Sequence, residues 1–318
     1  MAAAASGSLG PVEGMDLRRQ AAIAKGGLTD HRLEAVVLKN PDFDLDQTIF
    51  KTLEGFIPRL VMKKDLAVKP FWHDVAVQRI TAAYSRIERP HAIDTDLHEF
   101  MMNECNFSME HADGSFMDHL TFCRDYCQVH FKPHSPRVLL IHSILGVGTN
   151  YFPMEAAKIP QLAALLTPHE MKHTEAFPSI LRLILSWKLL DELAGKLGSV
   201  DKLKSIKFHR VIDNQDLELD AEEFWVQMNY QMIHLLDFAP TADWESGAPV
   251  VFQCCLGVYD FLTKAGQLRA SVAIQPVHMA GFMHTLKRRI GVRVLAKYSA
   301  QIGHSLDYEL RWDDSSRL

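Results

Sequence analysis

Two histidines on apolar, helix-patterned sequence are the strongest chemical signal in this chain. His119 lies in Ser115-Phe-Met-Asp118-His119-Leu120, and His142 ends Val138-Leu-Leu-Ile-His142-Ser143. A neutral imidazole is the commonest metal ligand. A single inward histidine is ordinarily a hydrogen-bonded core residue, whereas two on neighbouring helices point to a shared metal ion. A second pattern is His169-Glu170-Met171-Lys172-His173, two histidines four apart with a glutamate after the first. On a helix they share a face, as zinc ligands require. Pro168 and Pro178 bracket it, however, which predicts a helix of barely two turns and argues against a zinc peptidase. Gly146-Val-Gly148-Thr149 lacks the third glycine of a dinucleotide loop and reads as a helix stop and turn. There the Thr149 hydroxyl would line the mouth of a pocket.

The elements that must carry these residues have helical period. Ser115 and Asp118 suit a helix start, and Phe116, His119, Leu120, Cys123 and Cys127 then share one face. Ser135-Pro136 supplies a cap and a first-turn proline for a helix over Val138 to Leu145, stopped at Gly146. Further helices are expected over Ser179 to Leu197, with Leu183, Trp187, Leu190 and Ala194 in one stripe, and over about Ala221 to Phe238. Others follow over about Pro249 to Lys264 and Val277 to Ile302. Lys204 to Asp220 reads as a short strand or an irregular stretch. No alternation is long enough to predict a sheet, so the expected class is all-α.

The stretch from His111 to about Phe152 resembles an uncharacterised branch of the HD-domain superfamily. His111, Asp118-His119-Leu120, a leucine-rich helix ending His142-Ser143, and Gly148-Thr149 occur in the matching order. The usual second motif is His-Asp, and Ser143 replaces that Asp. The resemblance implies an HD-like helical domain in which His119 and His142 are metal ligands. It implies a last ligand Asp from a later helix, either Asp237 or Asp191. His111 or His173 would be the general acid or base, and His169 and Thr149 would contact substrate. The ion would be Fe, Mn or Zn. Members of the superfamily are hydrolases or, less often, oxygenases. The implied function is thus a metal-dependent enzyme acting on a small phosphorylated or polyhydroxy metabolite. The alternative is a non-catalytic HD-like binding or scaffold protein, favoured by Ser143, because a neutral hydroxyl is a poor ligand for a hard divalent ion.

The remaining composition bounds the setting. The 318 residues are 47% hydrophobic and carry a formal net charge of −5, which gives no bias toward nucleic acid or an anionic membrane. The basic face Lys287-Arg288-Arg289, with Arg293 and Lys297, lacks interleaved aromatics. No apolar run approaches the ~18 residues of a membrane span. The expected partner is a small-molecule ligand, with the oligomeric state open. Five cysteines without a secretory signal suit a reducing compartment. Cys123 and Cys127 read as core thiols rather than half of a zinc site. Residues 1–30 read as a disordered or weakly transit-like segment, 31–95 as an N-terminal extension, 96–240 as the HD-like domain and 245–318 as a helical addition. The cytoplasm is the expected location, with an organelle as the alternative.

Overall fold

The computed structural model describes residues 95–105, 116–146, 152–236, 250–272 and 304–313, with Phe56 and Leu60. His111, Thr149, Asp237, the expected helix over 277–302 and the first ninety residues apart from those two lie outside this set.

Helices dominate. They are α1 (Thr95–Glu104), α2 (Phe116–His130), α3 (Pro136–Leu140), α4 (Ile159–Leu165), α5 (Pro168–Leu185), α6 (Lys188–Gly195), α7 (Ala221–Leu236) and α8 (Val250–Lys264). Three strands depart from the all-α expectation: β1 (Leu203–His209), β2 (Asp216–Asp220) and β3 (Tyr308–Trp312). They form an antiparallel sheet in the order β2-β1-β3. Ile206 lies opposite Leu219 on one side and Leu310 on the other. The segment after residue 245 is therefore not only helical, because β3 returns to complete this sheet.

Helix α7 is the axis of the core. Every residue from Phe224 to Leu236 is buried, and it packs against α2, α5, α8, β1 and β2. A helix apolar on all sides can only exist inside a body, and here four polar residues, Gln227, Asn229, Gln231 and His234, are buried with it. Asn229 is fully used: its amide donates to the Trp225 and Gln267 carbonyls at 2.8 and 2.9 Å. Its oxygen accepts from the Arg269 and Ala270 backbone N–H groups at 2.8 and 2.9 Å. Asn229→Leu would strand two buried N–H donors and a carbonyl, each costing about 1–3 kcal/mol. Urea unfolding should show a loss of about 3 kcal/mol or more, and a loss under about 1 kcal/mol would contradict this clamp.

Three expected boundaries moved. Helix α3 ends at Leu140, and Ile141 to Gly146 continue as tight turns with Ile144 N–H donating to the Ile141 carbonyl at 2.9 Å. His142 therefore stands in a turn rather than on a helix. Helix α5 runs straight through Pro178, eighteen residues in all. The expected helix from Ser179 to Leu197 is instead split at Trp187, whose left-handed φ of 62° separates α5 from α6. Cys123 and Cys127 are buried core thiols, as expected, and neither is in a disulfide.

Candidate metal centre

His119 comes from α2, His142 from the turn after α3 and His234 from the last turn of α7. All three rings are buried at 4% exposure or less. Each offers a nitrogen within 4.8 Å of the others. The ring centroids are 5.0, 5.0 and 4.6 Å apart, with steep interplanar angles of 66–79°. The rings thus meet edge-on around a point rather than stacking.

The hydrogen bonds fix which nitrogens face inward. His142 Nδ1 lies 2.7 Å from the Leu139 carbonyl oxygen, so Nδ1–H donates there and Nε2 carries the lone pair. That is how a metal-binding imidazole is usually oriented, by a carbonyl on its far nitrogen. His142 Nε2 is 3.1 Å from His119 Nε2, and two ligands at about 2.0–2.1 Å from a tetrahedral zinc are about 3.3 Å apart. Without an ion, His119 Nε2–H would donate to His142. With one, His119 Nδ1–H would turn to the Cys123 sulfur, 4.0 Å away. Phe177 of α5 packs on His142 and His234 at 4.7 and 5.3 Å and closes the apolar side. The donor set therefore fits a transition-metal ion.

The third member was not among the expected ligands. His234 precedes Asp237 by less than a helical turn, in Ile233-His234-Leu235-Leu236. The criterion that selected His119, an inward histidine on an apolar helix, selects His234 equally. Asp191 is exposed in the first turn of α6, a helix that packs on α5 and α8, and it is not among the converging side chains. Ser143 is buried immediately after His142.

The His-Glu-x-x-His run performs a different task. Glu170 closes a capping box at the start of α5. Its carboxylate accepts from the Thr167 N–H at 2.9 Å, while its own N–H donates to Thr167 Oγ1 at 3.2 Å. It also accepts from Ser135 at 2.7 Å and pairs with Arg137 at 3.1 Å. Burial pushes this carboxyl up, but the Ser135 and Thr167 hydrogen bonds and the Arg137 charge outweigh it and hold it below its ordinary value. A glutamate so committed is no general base. His169 is exposed, and its ring centroid is 4.4 Å from that of His173. Neither belongs to a group of three candidate ligands among the described residues.

His173 is fully buried, with Nδ1 2.8 Å from Gln227 Oε1. Burial, against the support of Gln227, pushes its pKa down to about 4. It is neutral at pH 7 and not poised for proton transfer there, contrary to the role expected of it. Gln227, Gln231 and His234 form one row along α7. Gln227 meets His173, Gln231 donates to the Phe177 carbonyl at 3.0 Å, and His234 meets the Phe177 ring. A polar seam between α5 and α7 thus leads to the three histidines.

No protein-family model, curated protein or solved structure matches this chain. Among the described residues no helix is long and apolar enough to cross a membrane.

Proposed function

We propose that this protein binds one transition-metal ion through His119, His142 and His234, and that it is an HD-like metal-dependent hydrolase of a small phosphorylated metabolite. The convergence of three buried imidazoles carries the reading. An all-nitrogen set favours zinc or ferrous iron over magnesium or calcium, which prefer oxygen ligands. It also favours them over manganese, for which carboxylates are the better partners. When bound, such an ion is a Lewis acid that lowers the pKa of water toward neutrality. The chain's own contribution is to hold His142 in one tautomer through Leu139, to exclude solvent with Phe177 and to add no negative charge. The last property follows from Ser143 in place of Asp and from His234 as the third ligand.

A second reading is a non-catalytic scaffold in which the ion only fastens α2, the turn after α3 and α7. The burial of all three rings favours it. Metal analysis of the purified protein, with turnover on a panel of phosphate esters, separates the two. The hydrolase requires one zinc or iron that is lost on His142→Phe, and turnover that disappears with chelation. One metal without turnover on any ester supports the scaffold, and a metal-free protein that takes up neither ion refutes both.

A further inference from the structure

A different set of ligand-type side chains converges at one end of the small sheet. His209 is the last residue of β1, and Asp216, its cross-strand partner, is the first of β2. His304 and Asp307 lie in the turn that leads into β3. His209, His304 and Asp307 each offer a ligand atom within 4.8 Å of the others. The two imidazole rings are 5.1 Å apart, and His304 Nδ1 is 2.9 Å from Asp307 Oδ2.

From this convergence we infer a second transition-metal site, formed by His209, His304 and Asp307, with the Asp216 carboxylate available as a fourth ligand. Two histidines and carboxylates suit zinc or another divalent transition metal, and a hard ion would want more oxygens. His209 Nδ1 is 3.0 Å from Asp216 Oδ1 but is not aligned with it as a hydrogen bond, so distance is present without donor geometry. Separations of 2.9 and 3.0 Å are close to the spacing of about 3.3 Å between two ligands that share a tetrahedral ion with bonds of about 2.0–2.1 Å.

The backbone beneath the site is held before any ion arrives. His304 N–H donates to Asn214 Oδ1 at 3.1 Å. Asn214 occupies the left-handed region of the β1–β2 loop, with φ of 59°. Arg210 spans that loop, donating to Asp213 at 2.8 and 2.6 Å and to Gln215 at 2.8 Å, and it pairs with Glu175 of α5. His209, Asp216 and Asp307 also border a groove of about 460 Å³ floored by Phe208, Leu217 and Tyr308, so the site is open to solvent. The ion would tie the turn before β3 to the β1–β2 hairpin. As plain ion pairs, His304–Asp307 and His209–Asp216 would contribute little, since both acids and His304 are well exposed.

The test is an equilibrium zinc titration of the full chain against a chromophoric chelator, run on wild type, His304→Ala and Asp307→Ala. Both substitutions are at exposed side chains. Wild type should bind one zinc more than either variant, or each variant should bind that equivalent at least about tenfold more weakly. Amide exchange at Tyr308–Trp312 should slow on zinc addition in wild type and not in the variants. The count relative to wild type is independent of whether the buried histidines hold an ion, because that contribution is common to all three proteins. Equal zinc stoichiometry and affinity in wild type and both variants would overturn the site. So would a loss confined to His304→Ala, which would leave the carboxylate without a part.

Discussion

With the sheet-end site disabled by His304→Ala, removing the ion with a chelator should lower the melting temperature of this protein by several degrees, and adding His142→Phe should abolish that difference. An ion that binds only the folded chain stabilises it by about 2.7 kcal/mol when free metal is one hundred times Kd. For a chain of 318 residues that corresponds to a shift of about 4 °C. Phenylalanine fills the volume of the imidazole beside Phe177 but removes the Nε2 lone pair. The metal-free variant should melt somewhat below metal-free wild type, because the Leu139 carbonyl and His119 Nε2 lose their buried partner, while its affinity for zinc falls by more than about a hundredfold. Differential scanning calorimetry with and without added zinc gives both numbers. A variant that still gains the wild-type increment would place the ion elsewhere.

Acid should destabilise the protein in a window set by His173. Its folded pKa of about 4 is below the ordinary histidine value, so between about pH 6.5 and pH 4 the unfolded chain takes a proton that the folded chain refuses. The contribution is fully present above pH 6.5 and is lost as pH falls toward 4. It amounts to about 3 kcal/mol at about 1.4 kcal/mol per pKa unit. His173→Gln keeps a polar partner for Gln227 without a titrating proton. Its stability measured by urea unfolding in chelator should change less between pH 6.5 and pH 4.5 than that of wild type. Equal slopes would mean that His173 is solvated in solution. Glu170 acts in a separate window. Its depressed carboxyl contributes stability above the ordinary carboxylate range and loses it as pH falls through its lowered value.

The sequence revealed the helices that have a clean apolar stripe, and with them the inward direction of His119. It also singled out His142, though from a helix that stops short of it. What it hid depends on distant partners. Helix α5 passes Pro178, which cannot donate to the Thr174 carbonyl, because burial on several sides holds the helix together. The break at Trp187 has the same character. A Cβ on Gly257 would lie 2.9 Å from the Trp187 ring, so the tryptophan rests on bare backbone of α8, about seventy residues downstream. Nothing near position 187 announces that. The strands are five to seven residues long. The stretch from Lys204 to Asp220, open to a short strand, holds β2 and all but the first residue of β1, whereas Tyr308-Glu-Leu-Arg-Trp312 has no partner nearby in the sequence. At the site, His234 is legible by the same rule as His119, a histidine set among apolar residues on a helix.

The pairing of β1 with β3 has a consequence for biogenesis. Strands β1 and β2 can form their hairpin as soon as the ribosome releases them, but the strand that covers the other edge of β1 is made roughly a hundred residues later. Until then a row of unsatisfied backbone donors and acceptors, with Ile206 and Phe208 beside it, is open to any passing extended chain. The nascent protein therefore carries a sticky ribbon through the synthesis of α7 and α8. Its demand for chaperones should be set by how quickly Tyr308–Trp312 arrives, more than by the stability of the finished fold.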